Sequence, residues 1–199
     1  MGLGELPYTT SLRDGASIVI SLLGPDGREG LTRFYAGLPE PDRMVLKDDV
    51  TTQGWADRFM QKIADGEVLS LVAREGNQVV AEGSLYRSLH GWMRHVGEIR
   101  ATIAPTRRRQ GLGLTLVALL VRIATDFGIE KLMVQTMDSQ AGTRQTVEKL
   151  GFQVADILPR HVTDLGGHKR DLILMSSDVS QVWSAMEAMM EDYQPHLGE

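Results

Sequence analysis

The chain has 199 residues, a length that suits one domain or a domain with a small appendage. With 42% hydrophobic and 24% charged residues, collagen-like and wholly disordered readings are excluded. A net charge of -5 argues against a nucleic-acid coat, and the absence of cysteine removes disulfides, thiolate metal sites and cysteine nucleophiles. The most apolar stretch, Leu112 to Val121, is too short for a bilayer, which needs ~20 apolar residues. The N-terminus has no basic start followed by an apolar run. The chain is therefore expected in the cytoplasm.

Residues 1–16 read as a loose lead-in. Ile18 to Leu23 is a β-branched run ended by Gly24-Pro25, a strand and a turn. Leu31, Phe34, Tyr35 and Leu38 repeat at helical spacing, and Pro39 and Pro41 end that helix. Trp55, Phe59 and Ile63 mark a second helix, with Thr52 as its cap and Gly66 as its stop. The period then changes to two. Val68–Ala73 and Val79–Tyr86 are strands joined by the turn Glu75-Gly76-Asn77. Val96–Ala104 is a third strand, with Glu98, Arg100 and Thr102 on one side and Ile99, Ala101 and Ile103 on the other. Leu112–Phe127 is a helix apolar almost all round, hence buried.

Strand, helix and a strand pair follow at Lys131–Thr136, Ser139–Leu150, Phe152–Leu158 and Lys169–Met175. Val179, Val182, Trp183, Met186, Met189, Met190 and Tyr193 form the stripe of a last amphipathic helix in residues 177–199. It could cover the sheet or join two copies in a homodimer. The order β-α-α-β-β-β-α-β-α-β-β-α describes a mixed α/β domain over residues 17–176. Its sheet should be mostly antiparallel, with the strands around residues 100 and 133 parallel across a crossover helix.

Glu98 to Gly113 is the informative segment. A strand ends at Pro105, three arginines follow, then Gly111-Leu112-Gly113 and a buried helix. Amides at a helix start are unpaired, glycines let an anion approach them, and the helix dipole favours negative charge. This describes a pyrophosphate cradle. Gly-Lys-Ser/Thr is missing, so it is not a Walker loop, and Leu116 replaces the third glycine of a dinucleotide fingerprint.

Arg108-Arg109-Gln110-Gly111-Leu112-Gly113 is similar to the Gln/Arg-x-x-Gly-x-Gly/Ala signature of the GNAT superfamily of acyl-CoA-dependent N-acyltransferases. Ile103-Ala104-Pro105 matches the hydrophobic-x-Pro that precedes it, and Glu148-Lys149-Leu150-Gly151-Phe152 matches a block near the end of that fold. Within the family, Ser11-Leu-Arg-Asp-Gly15 resembles bacterial protein-lysine acetyltransferases, while Arg160-His161 and Gly167 to Met175 resemble small-amine acetyltransferases.

The resemblance implies a GNAT-like acyl-CoA N-acyltransferase fold with an extra C-terminal helix, and an N-acetyltransferase using acetyl-CoA as co-substrate without metal. It places the pyrophosphate on the amides of Arg108, Arg109, Gln110, Gly111, Leu112, Gly113 and Leu114, and the pantetheine arm on the backbone of Ile103 and Ala104. Ser139 and Gln140 stand where the family has an asparagine that contacts pantetheine, and Val147 where it has a general-acid tyrosine. Tyr86 and His161 are the substitutes considered for that tyrosine.

Glu98 is the candidate base, because amine attack on a thioester requires a neutral amine. Its separation from Gly111 is like that of the glutamate in bacterial lysine acetyltransferases. A structural pair with Arg100, two residues on, is the competing role and would lower its pKa. Glu82 and Tyr86 alternate on a strand and could line a cleft, or face solvent. Scattered histidines, among them His90 and His95, have no recognised metal spacing. Two functions remain open: acetyl transfer from acetyl-CoA to a primary amine, and an acyl-CoA-binding sensor or interaction module without turnover.

Overall fold

A computed structural model describes residues 6–191. Eight strands form one sheet: β1 (Tyr8–Ser11), β2 (Ser17–Leu22), β3 (Val68–Glu75), β4 (Gln78–Arg87), β5 (Val96–Ile103), β6 (Lys131–Met137), β7 (Gln153–Thr163) and β8 (Lys169–Asp178). Their spatial order is β1-β2-β3-β4-β5-β6-β8-β7. All neighbours are antiparallel except β5 and β6, which run parallel across the crossover helix α4 (Leu112–Asp126). This is the mixed, mostly antiparallel α/β architecture that the alternation of periods implies.

Two cores follow from the pleat. Leu71, Ala73, Ala81, Leu85 and Ile99 face one side of the sheet and pack with Leu116, Leu120 and Val121 of α4. Val68, Val72 and Val79 face the other side, beneath α1 (Arg28–Ala36) and α3 (Trp55–Ala64). There Leu31, Phe34, Tyr35, Trp55 and Phe59 close a second cluster. Between those helices lies one short turn of helix, α2 (Glu40–Arg43), with Pro41 in its first turn, where proline is tolerated. Helix α5 (Ala141–Lys149) buries Val147. The last helix, α6 (Val179–Glu191), packs on α4 and β8, with Val182 and Met186 buried in the larger core and Trp183 partly so. The indole N–H of Trp183 lies 3.4 Å from Thr125 Oγ1. Tyr193 and the side chain of Met190 lie outside the described residues.

Three elements differ from expectation. The lead-in carries β1, whose Tyr8-Thr-Thr-Ser is too polar to read as a strand; pairing with β2 orders it. The second helix starts at Gly54, which adopts φ +75°, and Thr52 contributes its carbonyl to the Trp55 N–H. Strand β7 runs past Pro159 to Thr163, with its register broken between Leu158 and Val162. As the edge strand it needs no second partner at the proline.

The feature that makes a site is the parting of β5 from β6. The two are paired only at Val96–Glu98 and Lys131–Met133, yet β5 continues to Ile103 and β6 to Met137. Past Glu98 a gap opens in the middle of the sheet, directed at the start of α4.

Candidate active site

The chain enters α4 through two left-handed residues, Arg109 at φ 60° and Gly111 at φ 95°. For arginine this costs about 1–2 kcal/mol, a strain of the kind retained where a turn has work to do. The first intrahelical bond runs from Thr115 N–H to the Gly111 carbonyl at 3.1 Å, and no side chain caps the helix. The amides of Leu112, Gly113 and Leu114 therefore lack intrahelical partners and face outward at the positive end of the dipole. A Cβ on Gly111 would meet no atom within 4 Å, so the approach is open. A Cβ on Gly113 would lie 2.8 Å from Ile103 Cδ1, which is why the helix start can sit this close to β5.

The three arginines have separate fates. Arg107 is bound bidentately to Glu75 at 2.8 and 2.6 Å, and to Asp14 at 2.9 Å, so it ties the turn to the sheet. Arg108 donates to the Ile103 carbonyl at 3.1 Å and pairs with Asp42 at 2.8 Å. Arg109 is exposed and has no ion pair among the described residues. Gln110 is half-buried, and the Leu112 side chain is in the core, leaving only its amide to the cradle.

In the gap, antiparallel alternation decides which backbone groups are free. Ala104 gives its N–H to the Val80 carbonyl at 2.9 Å, on the β4 side. By the same register Thr102 pairs toward β4, while Ala101 and Ile103 direct their backbone groups into the gap. The Ala104 N–H, expected to face the gap, is thus taken by β4, and the Ala101 N–H faces the gap in its stead. On the β6 side, Gln140 lines the gap and its side-chain oxygen accepts the Met137 N–H at 2.8 Å. Ser139 is exposed, bonded through its N–H to Asp138 and off the cavity wall, whereas its neighbour Gln140 lines it. Thr136 Oγ1, also on the cavity wall, is buried with no hydrogen-bond partner. A buried orphan hydroxyl beside an open strand edge suits a polar ligand.

The gap leads into a cavity of about 560 Å³ on the α1–α3 side. Its floor includes Glu82, Ser84 and Tyr86 of β4 with Arg100 and Thr102 of β5, and its walls include Tyr35, Trp55 and Phe59. Glu82 is only 2% exposed. Tyr35 OH donates to one carboxylate oxygen at 2.9 Å, and the hydroxyls of Ser70 (2.6 Å) and Ser84 donate to the other. A carboxylate has about four acceptor sites, so roughly one is left for a ligand. Burial pushes the Glu82 pKa up, against the three hydroxyls that favour the charged form. A buried carboxyl raised from the ordinary range is a stronger proton acceptor than an exposed one. Burial likewise raises the Tyr35 and Tyr86 hydroxyls.

Glu98 is placed differently. It lies opposite Tyr86 but off the cavity wall. Lys47 donates to its Oε1 at 2.5 Å and Arg100 at 2.8 Å. Burial raises its pKa, but these two cations outweigh that and hold it below the ordinary glutamate value. Arg100 also pairs with Asp48 at 3.1 Å and sits 3.8 Å from the centre of the Tyr86 ring. The structural pair with Arg100 is therefore present, enlarged by Lys47, which nothing in the local sequence announces. His161 is exposed and off the cavity wall, Tyr86 lines it, and Val147, at the tyrosine position, is core. Among the described residues, no group of three or more His, Asp or Glu could hold a metal ion, and no helix is long and apolar enough to cross a membrane.

A strand pair that parts beside an uncapped, glycine-started helix is the setting of a CoA-dependent acyltransferase. The model of the acetyltransferase (GNAT) family matches residues 32–152, and the chain belongs to that family. A comparison with curated protein sequences gives no match. Solved structures share the fold. An acetyltransferase of the GNAT family from Streptococcus pneumoniae is 19% identical, with a TM-score of 0.68 over 81% of this chain and 99% of its own. The ribosomal-protein-alanine N-acetyltransferase from Brucella melitensis is 21% identical, with a TM-score of 0.68 over 80% and 98%. The yncA structure from Salmonella typhimurium, which contains its cofactor acetyl-CoA, is 18% identical, with a TM-score of 0.68 over 81% and 94%.

Proposed function

We propose that this chain transfers an acetyl group from acetyl-CoA to a primary amine by direct attack in a ternary complex. The observation that carries the reading is the continuity of three features: the free amides of Leu112–Leu114, the β5–β6 gap, and a cavity holding one buried carboxylate. The amides and the exposed Arg109 hold the pyrophosphate, and the backbone of Ala101 and Ile103 holds the pantetheine arm. Acetyl-CoA supplies a thioester whose carbonyl carbon is attacked by the amine nitrogen. The bound ammonium first gives one proton to Glu82; the neutral nitrogen then attacks, the C–N bond forms, the C–S bond breaks, and the second nitrogen proton goes to the departing thiolate, so CoA leaves as the thiol. Thiolate is a tolerable leaving group, since thiol pKa values lie near ~8.5. With no cysteine in the chain, a thioester relay on the enzyme is not available. Glu98, expected as the base, is assigned instead to holding Lys47 and Arg100 at the cavity edge. The proposed setting is the cytoplasm.

Val147 at the tyrosine position favours a second reading, an acyl-CoA-binding module without turnover. Thiol release from acetyl-CoA, followed with and without amines, separates the two. Amine-dependent release supports transfer; binding of CoA with no release under any amine supports the module.

A further inference from the structure

The cavity wall and its roof bear on which amine is acetylated. Tyr35 and Trp55 meet edge-to-face at 5.0 Å, Trp55 and Phe59 stack at 5.4 Å, and Phe59 reaches Tyr86 at 6.5 Å. Leu46 and Val50 continue this apolar wall. Glu82 stands among these rings as the one fully buried carboxylate of the lining. The other charged groups there, Lys47, Asp48 and Arg100, lie at the edge and are committed to one another through Glu98.

The roof is bridged. Leu165, on the β7–β8 hairpin, gives its N–H to the carbonyl of Met44, on the loop before α3, at 3.3 Å. The Met44 methyl packs so closely over Gly166 that a Cβ there would lie 2.4 Å from it. Leu165 and Leu46 both face the cavity beneath this bridge. An extended peptide laid across this roof would meet the two touching loops. A polyamine would bring a second ammonium into a space whose other carboxylate, Asp48, is already paired with Arg100.

Resting on the acetyl-transfer reading, we infer that the acceptor is a small primary monoamine with an apolar, preferably aromatic, carbon skeleton. Its ammonium meets Glu82 and its skeleton lies against Tyr35, Trp55 and Phe59. The pairing is chemical: a cation is favoured by a carboxylate and by ring faces, and an uncharged skeleton by the aromatic wall.

The test is CoA release by the wild-type protein with 2-phenylethylamine, hexylamine, spermidine, a lysine-containing peptide and a peptide with N-terminal alanine. The two monoamines should lead the others in kcat/KM by at least about 100-fold. The variant Phe59→Leu should raise the KM for 2-phenylethylamine about 10-fold and leave the KM for acetyl-CoA unchanged, which also reports that the variant is folded. Turnover led by spermidine or either peptide would overturn the inference and leave acetyl transfer standing. No turnover with any of the five would overturn both. An unchanged KM in Phe59→Leu would remove the aromatic wall from the acceptor site.

Discussion

Replacing Glu82 by Gln keeps the shape of the side chain and removes its basicity. One oxygen can still accept from Ser70 and Ser84, and the Tyr35 hydroxyl can rotate to accept from the new amide, so the buried network stays satisfied. The stability effect has a definite sign. Burial raises the folded pKa of Glu82 above the ordinary glutamate value, so the folded state binds more protons than the unfolded one in that window. Stability then falls as pH rises through the window, and the neutral glutamine escapes that loss. The melting temperature of Glu82→Gln at neutral pH should therefore be no lower than that of wild type. Catalysis should move the other way. Loss of a general base costs roughly 10²–10⁴ in rate, and kcat/KM for the amine should drop by that factor while the KM for acetyl-CoA is unchanged. Wild-type kcat/KM should fall on acidification at a pH above the ordinary carboxylate range, and the variant should lack that step. Thiol release monitored between pH 5 and 9, beside thermal melts, reads all of this. A stable Glu82→Gln protein with normal turnover across that range would refute the assignment.

Glu98→Gln should change turnover less than about 10-fold but lower stability by about 1–2 kcal/mol, because Lys47 and Arg100 lose a charged partner at a half-exposed site. Because the folded pKa of Glu98 is depressed, its contribution is present above 4.5 and lost as pH falls through the folded value; melts of wild type and variant should converge in acid. Acetyl-CoA at 100 times its Kd should add about 2.7 kcal/mol, a rise of roughly 5–10 °C in Tm, and Gly111→Val should erase it, since a β-branched side chain at φ 95° is strained and stands in the phosphate's approach. Tyr35→Phe removes a hydrogen bond that favours ionised Glu82, so the acid limb of the pH–rate profile should move to higher pH; a limb that stays put would separate Tyr35 from the base. Met186→Ala in α6 should cost about 2–5 kcal/mol with the acetyl-CoA KM intact; equal stability would mean that the helix does not close the core.

Much of the fold was legible because it rests on local patterning. The switch from helical to twofold spacing at Val68, the turn Gly76-Asn77 and the stop at Gly66 are read residue by residue. The uncapped helix start was legible too, since glycines before an apolar helix carry their reason in their own backbone. Glu82 was not. Its local setting, Val80-Ala-Glu-Gly-Ser84, is that of any strand with a polar face. It becomes buried only because α1 lays Tyr35 over it from 47 positions away and β3 brings Ser70 from 12 positions away. The setting of Glu98 was only half legible for the same reason. Arg100 was visible at two residues' distance, but Lys47 arrives from a loop 51 residues earlier and completes the pair that fixes it. Ala101 and Ala104 differ only in which edge of β5 their amides face, a parity set by the register with β4.

The most direct measurement is mass analysis of the amine after incubation with acetyl-CoA and wild-type protein, with released thiol counted in parallel. Acetyl transfer by direct attack predicts one N-acetylated amine per free CoA, no acetylated form of the protein on the path, and loss of both products together in Glu82→Gln. Saturable binding of acetyl-CoA with no acetylated amine and no thiol released would contradict it.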